Sequence, residues 1–153
     1  MPREPCEAGD SVTGRGSLTP HLRTILVVDD EPDMLENMCR IFRRSPFACV
    51  CVLARNGHEA LAVLERESPD LVLTDLRMPG MDGLMLLRQI RRVAPRTPVV
   101  IFTAYATESA AEEAFHAGAA AFLAKPFSAA QLLGTVQQAL GNSEASPTTP
   151  YPG

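Results

Sequence analysis

Residues 25–42 read ILVVDDEPDMLENMCRIF. The stretch opens with a continuous apolar run, Ile25 to Val28, rich in β-branched side chains. Apolar side chains at every position, rather than at every second one, suit a strand covered on both faces. The run stops at Asp29, Asp30 and Glu31. Pro32 follows, a residue suited to a first helical turn because its missing N–H would have no partner there. Leu35, Met38, Cys39 and Phe42 then fall at i, i+3, i+4 and i+7, the stripe of an amphipathic helix. The stretch is therefore a buried strand, an acidic corner and a helix.

The same order recurs outward along the chain. Further apolar runs lie at 48–54, 71–73, 99–102 and 121–124. Each is followed by a helical stripe: Ala60, Leu61 and Leu64; Leu86, Leu87 and Ile90; Ala111, Ala114 and Phe115; Leu132, Leu133, Val136 and Leu140. Gly118 and Gly141 suit the ends of the fourth and fifth helices. Strand and helix alternate five times. Right-handed crossovers then give an α/β fold, a doubly wound parallel five-stranded sheet with helices on both faces. Such sheets place their sites outside the carboxyl ends of the strands.

This rhythm occupies residues 23–141, which are expected to be one domain. Residues 1–22 and 142–153 mix Pro, Gly, Ser and Thr without periodicity and read as disordered arms. The composition agrees with a folded domain: 46% of residues are hydrophobic, 21% charged, and the net charge is −4. A disordered chain, a collagen and a polybasic nucleic-acid tail are excluded. No apolar run approaches the roughly 18 residues of a spanning helix, and the first residues lack the apolar core of a signal peptide. No membrane association is expected, and the expected location is cytoplasmic. Cys49 and Cys51 share one face of a strand, where packing explains them; Cys6 and Cys39 have no partners at metal-ligand spacing. His21, His58 and His116 are not metal-spaced either. Arg43–Arg44 and Arg88, Arg91 and Arg92 form basic clusters. In an acidic chain without interleaved aromatics they suit solvation or a protein partner, and no direct nucleic-acid binding is expected.

The residues after the apolar runs carry the chemistry. Asp29 and Asp30 follow the first, Asp75 the third, Thr103 the fourth and Lys125 the fifth. Lys125 is the only lysine beside 13 arginines, a hint that its compact ammonium matters. One rim thus gathers carboxylates, a hydroxyl and an ammonium. Clustered carboxylates repel, and a hard divalent cation relieves them. Metal, Lys125 and Thr103 together suit three oxygens of a phosphoryl group, with Asp75 as the carboxylate that takes it up. Taken singly, each residue has a plainer reading. Asp30 or Glu31 can cap the first helix, Thr103 can cap the fourth, Asp75 can shape a turn, and Lys125 can be a solvated charge.

These residues stand in segments that together resemble the receiver domain of two-component response regulators: ILVVDDEPDML at 25–35, NGHEAL at 56–61, DLVLTDLRMPGMDGLMLL at 70–87, VVIFTAY at 99–105 and AFLAKPF at 121–127. The resemblance covers residues 24–140. It implies a flavodoxin-like sheet with strand order 2-1-3-4-5. It also implies that Asp75 is the phosphoacceptor, catalysis being shared with Thr103 and Lys125. Mg²⁺ would be held by Asp29, Asp30, Asp75 and the Arg77 carbonyl. Ala104 is the small residue that leaves room for phosphate, Pro79, Gly80 and Gly83 form the turn after the acceptor strand, and the Lys125–Pro126 bond is expected cis. Thr103 and Phe122 would form the switch, working on the surface of the fourth helix, fifth strand and fifth helix. Phe122 departs softly from the pattern, since it has no hydroxyl where tyrosine is common. The resemblance further implies that Arg77 and Tyr105, both bulky, would flank the path of hydrolytic water.

The implied function is a phosphorylation-activated receiver, not an enzyme beyond its own phosphoryl transfer and slow autodephosphorylation. Its implied partners are a sensor histidine kinase or histidine phosphotransfer protein and a downstream effector in trans, with a phosphorylation-dependent homodimer among the expected forms. The residues after Gly141 are too few for an effector domain, so the chain is either a stand-alone receiver or part of a longer regulator. Two alternatives belong to other classes. An aspartate-based phosphohydrolase would carry a second Asp where Arg77 stands. A phosphate-independent pseudo-receiver would have lost an acid, the acceptor or the lysine, and none is lost.

Overall fold

The computed structural model describes residues 3–5, 22–46 and 49–144. Five strands run parallel: β2 (Arg23–Val28), β3 (Cys49–Ala54), β4 (Leu71–Asp75), β5 (Val99–Thr103) and β6 (Ala121–Ala124). A short strand, β1 (Arg3–Pro5), precedes them and pairs antiparallel with β3, Glu4 opposite Cys51. The sheet order is β1-β3-β2-β4-β5-β6. The five parallel strands thus follow the expected order 2-1-3-4-5, and β1 adds an edge that no sequence signal announced. The reading of 1–22 as a disordered arm is corrected at 3–5. Leu22 is exposed and in no regular element, and the remaining residues of that arm, with those after 144, lie outside the described residues.

Four helices connect the parallel strands, α1 (Pro32–Arg43), α2 (Gly57–Arg66), α3 (Gly83–Val93) and α4 (Glu108–His116), and a fifth, α5 (Ala129–Glu144), follows the last strand. Each packs an apolar face against the sheet. One cluster joins α1 and α5 to the sheet through Leu35, Met38, Phe42, Leu132 and Val136. The other joins α2, α3 and α4 through Ala60, Val63, Leu86, Leu87, Ile90 and Ala114. A strand interior with apolar cover on both sides explains why β4 and β5 show no alternation: every residue of each is buried. Cys39, Cys49 and Cys51 are buried in the α1–α5 cluster, as the packing reading requires.

Three details differ from the sequence reading. In α2 the buried line is Gly57, Ala60 and Val63, while Leu61 and Leu64 lie half-buried on its flank. Large side chains pulled the expected stripe sideways, because small residues are what the close approach of α2 to the sheet permits. In α4 only Ala114 is fully buried. Helix α5 continues past Gly141 to Glu144. Gly118, by contrast, does stop α4, with φ +108 just beyond the cap at Ala117. No described helix is long and apolar enough to cross a membrane.

Candidate functional site

Strand register sets the site. Val28 pairs with Thr74, so Asp29, next after Val28, arrives beside Asp75, next after Thr74. Asp75 pairs with Phe102, and Thr103 follows at the adjoining strand end. Thr103 pairs with Ala124, which precedes Lys125. Four strand termini therefore deliver their polar residues to one rim.

Carboxylate oxygens of Asp29, Asp30 and Asp75 all lie within 4.8 Å of one another. Asp30 is exposed, whereas Asp29 is fully buried and Asp75 is 7% exposed. The Lys125 ammonium stands 3.7 Å from Asp29 Oδ2 and 3.7 Å from Asp75 Oδ1. It bridges both acids without reaching hydrogen-bond distance of either. Asp29 Oδ1 accepts from the Glu31 amide at 2.9 Å, but Oδ2 is buried with no hydrogen-bond partner. Burial pushes the Asp29 carboxyl up to about 6, the Glu31 amide opposes this, and the Asp75 charge adds to it. Asp75 is raised too, chiefly by burial, with the Lys125 charge pulling it back.

Three ionised carboxylates and one ammonium would leave a formal charge of −2 (three negative, one positive). That suits one divalent cation. The oxygen separations also suit Mg²⁺: ligands on opposite sides of its octahedron lie about 4.2 Å apart, so some carboxylates can bind directly and another through water. The orphaned Asp29 Oδ2 supplies an independent reason for a cation at this spot.

The plainer readings fare differently residue by residue. Glu31 occupies the N-cap of α1 without a side-chain bond, and Asp30 makes none there either. The cap of α4 is Thr107, whose hydroxyl accepts from the Ala110 amide at 3.0 Å. Thr103 is fully buried, and its Oγ1 accepts from the Tyr105 amide at 3.0 Å. A hydroxyl can donate its proton while accepting, so Thr103 keeps a donor for another group. Lys125 is not a solvated loop charge: its ammonium also lies 5.2 Å from the centre of the Phe102 ring. The Lys125–Pro126 bond is cis, as expected.

The loop after Asp75 is built for close approach. Gly80 has φ +79, where a side chain would be strained. A Cβ on Gly83 would lie 2.3 Å from the Asp75 carbonyl oxygen, so only glycine lets α3 start this close to β4. Asp82 caps α3 by accepting from the Met85 amide at 2.9 Å.

Phe122 is half-buried and packs with the α2–α3–α4 cluster, on the α4 side of β6. Ala104 is exposed at the mouth of the site. Arg77 turns its guanidinium onto the Tyr105 ring, 4.5 Å from the centroid. Sequence reasoning placed both residues at the rim but missed this contact. Their equal offset from the ends of adjacent strands was the available signal. Arg91, read as part of a basic surface, is instead half-buried and donates to the Ala94 and Thr97 carbonyls, closing the end of α3. His58 and His116 are exposed, while His21 and Cys6 lie outside the described residues.

Comparison with known proteins gives a consistent likeness. The family model described as the response regulator receiver domain matches residues 25–137. The chain is 38% identical over 118 residues to the DNA-binding transcriptional regulator NtrC of Salmonella typhimurium, covering 77% of this chain and 25% of that protein. It is 40% identical over 119 residues to the regulatory protein AtoC of Escherichia coli, covering 78% of this chain and 25% of that one. The chain thus spans about a quarter of the length of these curated relatives. A receiver domain protein from Methanospirillum hungatei superposes with a TM-score of 0.75 at 29% identity, covering 81% of this chain and 98% of that one. NtrX from Brucella abortus gives 0.75 at 32%, covering 81% and 28% respectively.

Proposed function

The chain belongs to the response regulator receiver family, and we propose from this that it accepts one phosphoryl group on Asp75 from a phosphohistidine donor. The observation that carries this reading is the rim itself: three carboxylates within 4.8 Å of one another, an ammonium 3.7 Å from two of them, and a buried carboxylate oxygen without a partner.

An ionised Asp75 oxygen attacks phosphorus, the bond from phosphorus to the donor's imidazole nitrogen breaks, and the imidazole leaves with the electron pair. Lys125 favours the ionised form of Asp75 against its burial, then faces the phosphoryl oxygens. Thr103 donates to another of them. Asp29, Asp30, Asp75 and the Arg77 carbonyl would hold Mg²⁺. When bound, the ion neutralises charge on the phosphoryl oxygens. Thr103 reaches the phosphoryl group by moving toward it. This vacates space under α4 that Phe122 is placed to fill, so α4, β6 and α5 are the surface on which partners read the state. We take residues 23–141 as the receiver unit. Its partners are a sensor histidine kinase or histidine phosphotransfer protein upstream and an effector downstream, with a phosphorylated homodimer as a further form.

Incubation with acetyl phosphate and Mg²⁺ tests the reading. Mass spectrometry should find one phosphoryl group per chain, lost in Asp75→Asn. Undiminished labelling of that variant would remove Asp75 as acceptor. Many turnovers of a generic phosphate ester would instead favour a phosphohydrolase, a reading disfavoured because Arg77 stands where that class carries its second acid. No labelling at all would favour a phosphate-independent interaction module.

A further inference from the structure

We propose that Arg77 and Tyr105 form a latch holding Thr103 in its unphosphorylated position, and that phosphorylation opens it. The proposal rests on the receiver reading above. Three observations build it. Strands β4 and β5 are adjacent, with Asp75 opposite Phe102, so their following loops leave the sheet side by side. The Arg77 guanidinium lies 4.5 Å from the Tyr105 ring centre and ties those loops together outside the core. The Tyr105 amide donates to Thr103 Oγ1 at 3.0 Å. The acceptor loop is thereby linked, through one ring and one hydrogen bond, to the hydroxyl that must move.

The two states pull the latch in opposite directions. Before phosphorylation the guanidinium at the mouth has an aromatic face as partner, and Tyr105 is held where its amide secures Thr103. A phosphoryl group on Asp75 offers the same cation about two negative charges and offers Thr103 new acceptors. When Thr103 turns to donate, Oγ1 leaves the Tyr105 amide and the Tyr105 loop loses its anchor. Both side chains are exposed, Tyr105 by 58%, so the stack contributes little to folding and can open without disturbing the core. A cation over an exposed ring changes an equilibrium by about two- to fivefold.

The test is a double-mutant cycle on the full chain, using Mg²⁺ and beryllofluoride as the phosphoryl probe. Dissociation constants are measured by NMR titration for the wild type, Arg77→Gln, Tyr105→Leu and the double variant, with circular dichroism confirming the fold of each. Arg77→Gln also removes a favourable charge, but the cycle cancels that single effect. If the latch belongs to the free state, it is lost only once in the double variant. That variant should bind the probe about two- to fivefold more weakly than the two single effects predict together. Tyr105→Phe, which keeps the ring, should keep the coupling to Arg77. In free Arg77→Gln protein the Thr103 methyl resonance should move toward its probe-bound position. Additive effects, coupling of the opposite sign, or an unmoved Thr103 methyl would overturn the latch. A wild type that binds no beryllofluoride would overturn the receiver reading itself, so the two failures are distinguishable.

Discussion

Asp29 shows how much one residue at the rim is asked to bear. It is fully buried, one oxygen has no hydrogen-bond partner, and burial raises its carboxyl to about 6 from an ordinary 3.8. In metal-free buffer the folded chain holds a proton on Asp29 at pH values where the unfolded chain has released it. Stability contributed here therefore falls as pH rises from about 4 to about 6, because the folded state binds more protons across that window. Asp29→Asn should flatten this part of the pH profile. It should stabilise the fold in metal-free buffer at pH 7 more than at pH 4, by at most about 3 kcal/mol from the shift. Added Mg²⁺ should stabilise the wild type at pH 7 and leave the variant nearly unmoved. Thermal melts at pH 4 and 7, with and without Mg²⁺, check this; parallel curves for both proteins would show that Asp29 does not carry the strain of the metal-free rim.

At the scale of elements, α3 is the one that closes the loop after Asp75, and its start depends on the absence of a side chain. The atoms that a Cβ on Gly83 would meet are backbone: the Asp75 oxygen at 2.3 Å and the Leu76 Cα at 2.8 Å. Neither can rotate away, and the Gly83 amide donates to the Leu76 carbonyl at 2.8 Å. Gly83→Ala should therefore cost about 2–4 kcal/mol and slow phosphorylation by displacing Asp75. Gly134 is the control. It lies exposed on α5 with nothing within 4 Å of a built Cβ, so Gly134→Ala should stabilise by about 0.5–1 kcal/mol. Urea denaturation of the two variants should give shifts of opposite sign. Equal destabilisation would mean that the close packing of α3 on β4 is not what Gly83 serves.

At the scale of the whole molecule, the proposed function separates the place of chemistry from the place of output. The rim lies at the carboxyl ends of the strands, while Phe122 sits beneath α4, paired in the sheet with Ile101. Loading Asp75 with beryllofluoride should shift amides of α4 and β6 as well as those of the rim, mapped by heteronuclear NMR. Phe122→Ala should bind the mimic yet lose the shifts in α4. Perturbation confined to the rim in the wild type would leave α4–β6–α5 without a role as the sensing face. The two states need differ by only a few kcal/mol for one modification to redistribute them.

The alternation of buried strand and amphipathic helix was readable in the chain because period and composition are local properties. So were the polar groups of the candidate site, since each of Asp29, Asp75, Thr103 and Lys125 ends or follows an apolar run. A parallel fold must bring such residues to one rim whatever the loops do. Other features depended on tertiary contacts. The α2 stripe ran through Ala60 and Val63 rather than the larger leucines, because the distance from helix to sheet decides which residues fit between them. Helix α5 passed Gly141, since glycine permits a helix to end without requiring it. The β1 strand pairs with residues 45 or more positions away, and three residues carry no period to announce it. The orphaned oxygen of Asp29, the inward turn of Arg91 and the stack of Arg77 on Tyr105 are likewise properties of distance and direction. Sequence order named the groups at the rim. Only the register of four strands decided which of them touch, because charge, burial and hydrogen bonding act over a few ångströms that the linear chain does not encode.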